Sequence, residues 1–423
     1  MKIFILSVLL GTIISFQGFS ALASEKIIFL STQLAPIKEA QVMREKVLEQ
    51  FPSPVEFMPA DKRNFYFGLI SQKQVMPSLV GALHGEYVQL AKTGYFLPLD
   101  DLVGKGKKKE LNQRYIALGN LNGQQVFLPW MQATYLMVAN KKSLAYLPKG
   151  ADLNRLTYDQ LLQWAETLKS KTGSPKLGFP AGQDGLMHRF FQGYLYPSFT
   201  GTMVREFRSN KAEEMWNWFS RLWRSVSPHS LTYRAMAEPL LTDEVWVAWD
   251  HSARLMEAVS TKPDDFVAFP APAGPKGRGF MLVLAGLGIP KESNTKESGK
   301  KLMDFLLSPK IQTTIMVNTG FFPVISDASG SQVPKGLGEI HKAVAQQSTS
   351  SDALPALLPV GIGERGNDFN NLYLTAFSRI VVRNQPPGKV LPALANRMNK
   401  LLQDVKAPCW PPDSKSEGPC PVK

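Results

Sequence analysis

Lys26-Ile27-Ile28-Phe29-Leu30-Ser31-Thr32 is an apolar run of strand length that ends in small polar residues. Ala40, Met43, Val47 and Phe51 follow at helical spacing, which predicts a helix from Ile37 to Phe51. Val55-Glu56-Phe57-Met58 reads as a second strand and Pro77 to Ala82 as a third. Strands and helices alternating at this spacing suit crossovers in a parallel sheet. The chain therefore opens as an α/β unit, with ligand loops expected at the carboxyl ends of its strands.

Upstream, Lys2 is a positive start, Ile3 to Phe16 an apolar run, and Ala21-Leu22-Ala23 a small-x-small cleavage pattern. Residues 1–23 thus read as an export signal cleaved after Ala23, too short to be a comfortable membrane span. No cysteine follows it, and no later stretch approaches about 18 uninterrupted apolar residues, so a soluble periplasmic protein is expected. Of the 423 residues, roughly 400 would remain, more than one hydrophobic core usually organises, so two lobes are expected.

The only cysteines, Cys409 and Cys420, sit in a proline-rich tail over residues 407–423. In an oxidising compartment they predict a short disulfide loop that staples the C-terminus and little else. The formal charge is +13, or +12 once Lys2 leaves with the signal. The basic residues are dispersed, and the one dense cluster, Lys105-Gly106-Lys107-Lys108-Lys109, lacks interleaved aromatics. It reads as a solvated loop, and nucleic-acid binding is disfavoured.

Downstream, Glu86 to Gly94 predicts a glycine-capped helix, and Tyr115 to Leu118, Asn122-Gly123 and Gln124 to Trp130 a hairpin. Leu136 to Lys141 is a further strand. Thr157 is the expected N-cap of a helix that ends near Gly173, with Leu161, Leu162, Ala165 and Leu168 as its buried stripe. Trp216, Phe219 and Trp223, at i, i+3, i+7, read as core rather than as ligand contacts. Val245 to Trp249, Phe266 to Phe269 and Phe280 to Ile289 predict strands, and Glu297 to Leu307 an amphipathic helix. Pro270-Ala271-Pro272-Ala273-Gly274-Pro275 reads as a rigid segment joining lobes.

Catalytic signals are sparse. The five histidines, His84, His188, His229, His251 and His341, are scattered without metal-ligand spacing. The mature chain is read as carrying no Gly-x-Ser-x-Gly elbow, Walker loop or dinucleotide fingerprint. Asp100-Asp101 cannot form a glycosidase couple by adjacency, and a turn or cap suits it better. No enzyme activity, metal or cofactor is expected.

An ordered series of segments carries a resemblance. Gly94 to Leu102, Asn122-Gly123 through Leu128-Pro129, Asn140-Lys141 and Leu156 to Leu162 precede Val247-Ala248-Trp249-Asp250 and Phe269-Pro270-Ala271-Pro272. Ala285-Gly286-Leu287-Gly288-Ile289-Pro290, Lys300 to Pro309 and Gly320-Phe321-Phe322-Pro323-Val324 complete it. The series resembles the carbohydrate-binding branch of the extracellular solute-binding proteins of ABC importers, the group that includes maltose- and glycerol-phosphate-binding proteins.

The resemblance implies a type II periplasmic-binding-protein fold: two α/β lobes, a hinge, and ligand in the cleft. Residues 24–135 plus 277–324 would form one lobe and 136–276 plus 325–406 the other, with crossings near Leu136–Lys141, Pro270–Arg278 and Pro323–Asp327. It also implies a monomer that passes a small solute, a sugar, polyol or sugar phosphate, to an inner-membrane permease. An exported carbohydrate-active enzyme and a ligand sensor stand as alternatives on the same scaffold.

By position in the family, the loop Leu83-His84-Gly85-Glu86 contributes His84 and Glu86 to the ligand. Pro129-Trp130-Met131-Gln132 contributes Gln132 and Trp130, the latter either stacking on a pyranose face or packing the hinge. Trp249 matches a position where relatives carry an aromatic. Asp250 either accepts sugar hydroxyls or caps the next helix. Gln33, Gly286, where backbone would approach a ligand closely, and Phe321 are further candidates.

Overall fold

A computed structural model describes residues 26–60, 76–91, 93–103, 111, 113–121, 123–325 and 333–423. The export signal, the Lys105–Lys109 cluster, Asn122 and part of the crossing expected near Pro323–Asp327 lie outside the described residues.

Two main sheets organise the chain into two lobes. The first is ordered β12-β6-β11-β3-β1-β2, with β13 also paired to β11. These strands are β1 (Ile27–Ser31), β2 (Val55–Pro59), β3 (Leu79–Leu83), β6 (Leu128–Ala133), β11 (Arg278–Gly288), β12 (Phe322–Pro323) and β13 (Ala353–Leu357). The second is ordered β10-β7-β9-β8, from β7 (Tyr135–Asn140), β8 (Leu177–Gly178), β9 (Val247–His251) and β10 (Phe266–Phe269). A small ribbon pairs β4 (Asn120–Leu121) with β5 (Gln124–Gln125).

The opening unit is as the periodicity predicts. β1 lies between β2 and β3, parallel to both. The predicted helix occupies its span, with one change of winding: α-helix over Ile37–Val42, a π turn over Met43–Val47 and a 3₁₀ turn over Leu48–Gln50. Ala40, Met43, Val47 and Leu48 are buried under the sheet. Nothing in the sequence pattern marked the wider turn.

Of the predicted hairpin, only the start of the second arm, Gln124–Gln125, pairs back across the turn, and Asn122 lies outside the described residues. Tyr115 to Leu118 lies in a helix, Gln113–Gly119, and only Asn120–Leu121 pairs back. A four-residue apolar run does not by itself distinguish strand from helix. Here Tyr115 and Ile116 are buried, and Gln125 Nε2 donates to the carbonyls of Ile116 and Phe127, at 3.0 and 2.6 Å, tying helix to strand.

Thr157 caps the helix Tyr158–Thr172 through a reciprocal box with Gln160, and Gly173 ends it at φ 75°. Trp216 and Phe219 are fully buried on the helix Asn210–Trp223. The chain passes between the sheets from β6 directly into β7, and from β10 through Pro270–Gly277 into β11. β11 is 11 residues long and serves two neighbourhoods. Its second half is antiparallel to β3 and β6, while its first half runs parallel to β13 and packs on Gly193 and Tyr194.

Candidate functional site

A cleft of about 810 Å³ opens where the carboxyl end of β3 faces the loop after β13. Leu83, Gly85 and Glu86 form one wall; Arg189, Asn370 and the segment Leu358–Asn367 form the other. A methyl group at Gly85 would come within 3.2 Å of the Pro359 carbonyl, so glycine permits the approach of the two sides there.

Glu86 is placed by the strand ends. Its Oε2 accepts from Thr32 Oγ1 at 2.7 Å and from the Leu83 amide at 2.8 Å. Gln33 Nε2 donates to Thr32 Oγ1 at 3.1 Å, so Gln33, Thr32 and Glu86 form one network beyond β1 and β3. His84 packs edge-on to Phe127, and burial pulls its imidazole down to about 4, leaving it neutral at physiological pH.

Arg189 stands in a short helix, Met187–Phe190. Its Nη1 donates to Gln192 Oε1 at 3.0 Å, and Gln192 Nε2 donates to Asn370 Oδ1 at 2.9 Å. Asn370 belongs to the helix Gly366–Phe377, so this chain of bonds fixes the wall across a long sequence gap.

Tyr135, Trp249 and His251 form an aromatic group beside Arg189. Tyr135 stacks on Trp249 with ring centroids 4.9 Å apart and lies edge-on to His251 at 5.0 Å. Phe321, half-buried, sits 6.3 Å from His251. Asp250 is fully buried and accepts from the Met236 and His251 amides at 2.9 and 2.7 Å. Burial pushes its carboxyl up to about 7, against the pull of Arg254 and those two amides. The next helix, Ser252–Thr261, is capped by His251, whose Nδ1 accepts from Ala253, and not by Asp250.

Of the residues expected at the ligand, Glu86 lies in the cleft wall, with Gln33 bonded into its network. Trp249 and Asp250 have no exposed surface. Trp130 is also wholly buried, edge-on to Phe29 in the first sheet's core. Gln132 is held by the Tyr115 hydroxyl and the Pro323 carbonyl. Gly286 does mark a close approach, but by a side chain: an added Cβ would lie 2.2 Å from the Phe127 ring.

Sequence reasoning missed Arg189, Asn370 and the loop. A signal existed for the loop. Gly361-Ile362-Gly363-Glu364-Arg365-Gly366 carries the G-x-G-x-x-G spacing, between β13 and the helix Gly366–Phe377, contrary to the expectation that no such fingerprint occurs. A dinucleotide site also needs a strand after the helix to complete the βαβ unit, and none follows here. Gly361 and Gly363 have φ of 74° and 57°, the left-handed region that favours glycine.

Cys409 and Cys420 are disulfide-bonded, as expected, yet the tail does more than end the chain. Asp413 accepts from the amides of Met203, Val204 and Arg205, and the Pro411 carbonyl accepts from Leu357 at the end of β13. Among the described residues no cluster of His, Cys, Asp and Glu is arranged to hold a metal, and no helix is long and apolar enough to cross a membrane.

Two α/β lobes with a cleft between strand ends and an opposing loop define a solute-binding protein of the two-lobed kind. The pattern of the bacterial extracellular solute-binding protein family matches residues 75–313, over half of the 423, and the chain belongs to that family. No curated protein matches it in sequence. Among solved structures it is similar to maltose-bound MalE3 of T. maritima, at 19% identity and TM-score 0.69 over 89% of this chain and 100% of that one. It is similar also to UgpB of Mycobacterium tuberculosis in complex with glycerophosphocholine, at 19% identity and TM-score 0.70 over 90% and 99%. The sugar-binding protein MalE of Xanthomonas citri aligns at 14% identity and TM-score 0.71 over 89% and 97%. At these identities the likeness is one of fold.

Proposed function

We propose that the chain is the substrate-binding component of an ABC importer: exported, cleaved after Ala23, and working in the periplasm as a monomer. It captures a small polyhydroxylated solute, a sugar, polyol or sugar phosphate, and delivers it to an inner-membrane permease. The lobes are residues 24–135 plus 277–324 and 136–276 plus 325–406, closing about a hinge. The observation that carries this reading is the composition of the cleft: Glu86 stands at a strand end on one side, Arg189 and Asn370 on the other, so only a ligand between them contacts both. Such a ligand shifts an open-closed equilibrium by its extra contacts in the closed form.

Glu86, with Gln33 behind it, accepts hydroxyls, while Asn367 and Asn370 supply amide donors and acceptors. The maltose and glycerophosphocholine of the structural relatives are ligands of this size and polarity. Trp130, Gln132 and Gly286 act through packing rather than contact. The test is a thermal-shift screen of the protein from Ser24 onward against mono- and oligosaccharides, polyols and sugar phosphates. A ligand that binds only the native state at a hundredfold its Kd adds about 2.7 kcal/mol. A saturable shift, lost in Glu86→Gln, is expected; a shift unchanged in that variant would remove Glu86 from the site.

A second reading, an exported carbohydrate-active enzyme, is favoured by one observation: Glu86 and Glu364 line the same cleft. Turnover of a chromogenic glycoside, abolished by either carboxylate-to-amide change, would select it.

A further inference from the structure

The cleft arginine has no counter-ion among the described residues. Arg189 is partly buried, its side-chain hydrogen bonds go to Gln192 and Tyr135, and no carboxylate pairs with it among the described residues. A guanidinium withdrawn from water without an anion is costly, and burial disfavours its charge here.

The neighbourhood makes that cost larger. Arg254 also acts on Tyr135 and on His188, so a second guanidinium adds to the positive field around Arg189. Both hydrogen bonds of Arg254 end on backbone carbonyls, of Arg234 and Asp184. Tyr135 feels a single carboxylate, Asp250, which is fully buried and already bonded to two amides. Burial holds His188 and His251 neutral, so neither adds to nor cancels this field at physiological pH. Of the two carboxylates in the cleft wall, Glu364 is exposed and therefore screened, and Glu86 accepts two bonds on its own side.

We infer that the solute carries an anionic group, a carboxylate or a phosphate, that pairs with the Arg189 guanidinium in the cleft while its hydroxyls face Glu86. A planar guanidinium suits both anions because its paired donors match two oxygens at once. Arg254 strengthens the attraction without touching the ligand. The inference rests on the binding-protein reading and narrows its ligand class.

The test uses matched neutral and anionic probes: glucose with glucose 6-phosphate, galactose with galacturonate, and inorganic phosphate alone. Each is followed by thermal shift and calorimetry on the wild type, Arg189→Gln, Arg189→Lys and Arg221→Gln. Arg221 forms an exposed pair with Glu166, so its variant matches the charge change outside the cleft. The expected result is tight binding of an anionic member only, weakened at least about thirtyfold in Arg189→Gln, partly restored in Arg189→Lys, and unchanged in Arg221→Gln.

Unliganded Arg189→Gln should melt close to wild type, because relief of the unpaired charge offsets the lost bond to Gln192; a merely structural arginine would give a clearly lower midpoint. Neutral sugars that bind as well as their anionic partners would overturn the inference while leaving the binding-protein reading standing. Absence of binding by every anion would also overturn it, and silence from the neutral probes as well would count against both.

Discussion

Asp250 and His251 are adjacent and titrate in opposite senses. Asp250 has its carboxyl raised to about 7 by burial, so the folded state holds its proton where the unfolded state has released it. Stability from this group is fully present below the ordinary carboxylate value of about 4 and is lost as pH rises to about 7. His251 is pulled down to about 4 by burial and by Arg254, so its contribution is present above about 6.5 and lost as pH falls toward 4. Asp250→Asn should therefore gain stability relative to wild type as pH rises from 5 to 8, by up to about 1.4 kcal/mol for each pKa unit relieved. His251→Asn, which keeps an acceptor for the Ala253 amide, should flatten the loss below pH 6.5. Chemical denaturation across this range checks both, and parallel curves for Asp250→Asn and wild type would contradict the buried, raised carboxyl. The identity of these residues was legible in sequence; their surroundings were not, because these depend on what packs over β9: Tyr135 and Phe321 against His251, and the Met236 amide against Asp250.

Among the elements, the tail is the least expected contributor. Its disulfide loop presents Asp413 to three consecutive amides, rests Trp410 on Phe369, and bonds Pro411 to Leu357, one residue before the cleft loop begins. Pro408 also lies beside Gly361 within that loop. The tail thus buttresses the wall that carries the glycine spacing. Asp413→Ala should cost about 2–4 kcal/mol, since it strands three backbone donors, two of them buried. Hydrogen exchange should quicken over Met203–Arg205 and at Leu357–Gly363, with the Cys409→Ser, Cys420→Ser double variant showing the same pattern more weakly. Unchanged exchange at Leu357–Gly363 in both would detach the tail from the cleft. Two cysteines in a chain read as exported were enough to predict the bond. No pattern in the tail named the amides that donate to Asp413, which are some two hundred residues earlier.

At the scale of the whole molecule, the proposed working motion is closure of two lobes. Small-angle scattering on the protein from Ser24 should show a smaller radius of gyration with a saturating ligand, and Glu86→Gln should keep the open value at the same concentration. An unchanged radius with a proven ligand would place binding within one lobe. Much of this architecture could be read from the chain. The apolar runs and helical repeat from Lys26 to Ala82, the cap at Thr157, the core stripe of Trp216 and Phe219 and the length beyond one core are local or additive properties, set by side-chain shape and hydrophobic burial along the sequence. The ordered segments from Gly94 to Val324 therefore sufficed for the family. The cleft wall was different. Glu86 was named because it follows a predicted strand end, but Arg189, Asn370 and Gly361–Gly366 come opposite it only through the tertiary fold, with β13 paired to β11 and the tail against the loop. Trp130 was placed by analogy and proves to be core, because which face of β6 is covered depends on what packs over it. Sequence determined most of the elements and the family; tertiary structure alone decided which charges face one another, since that is a matter of distances between residues the chain keeps far apart.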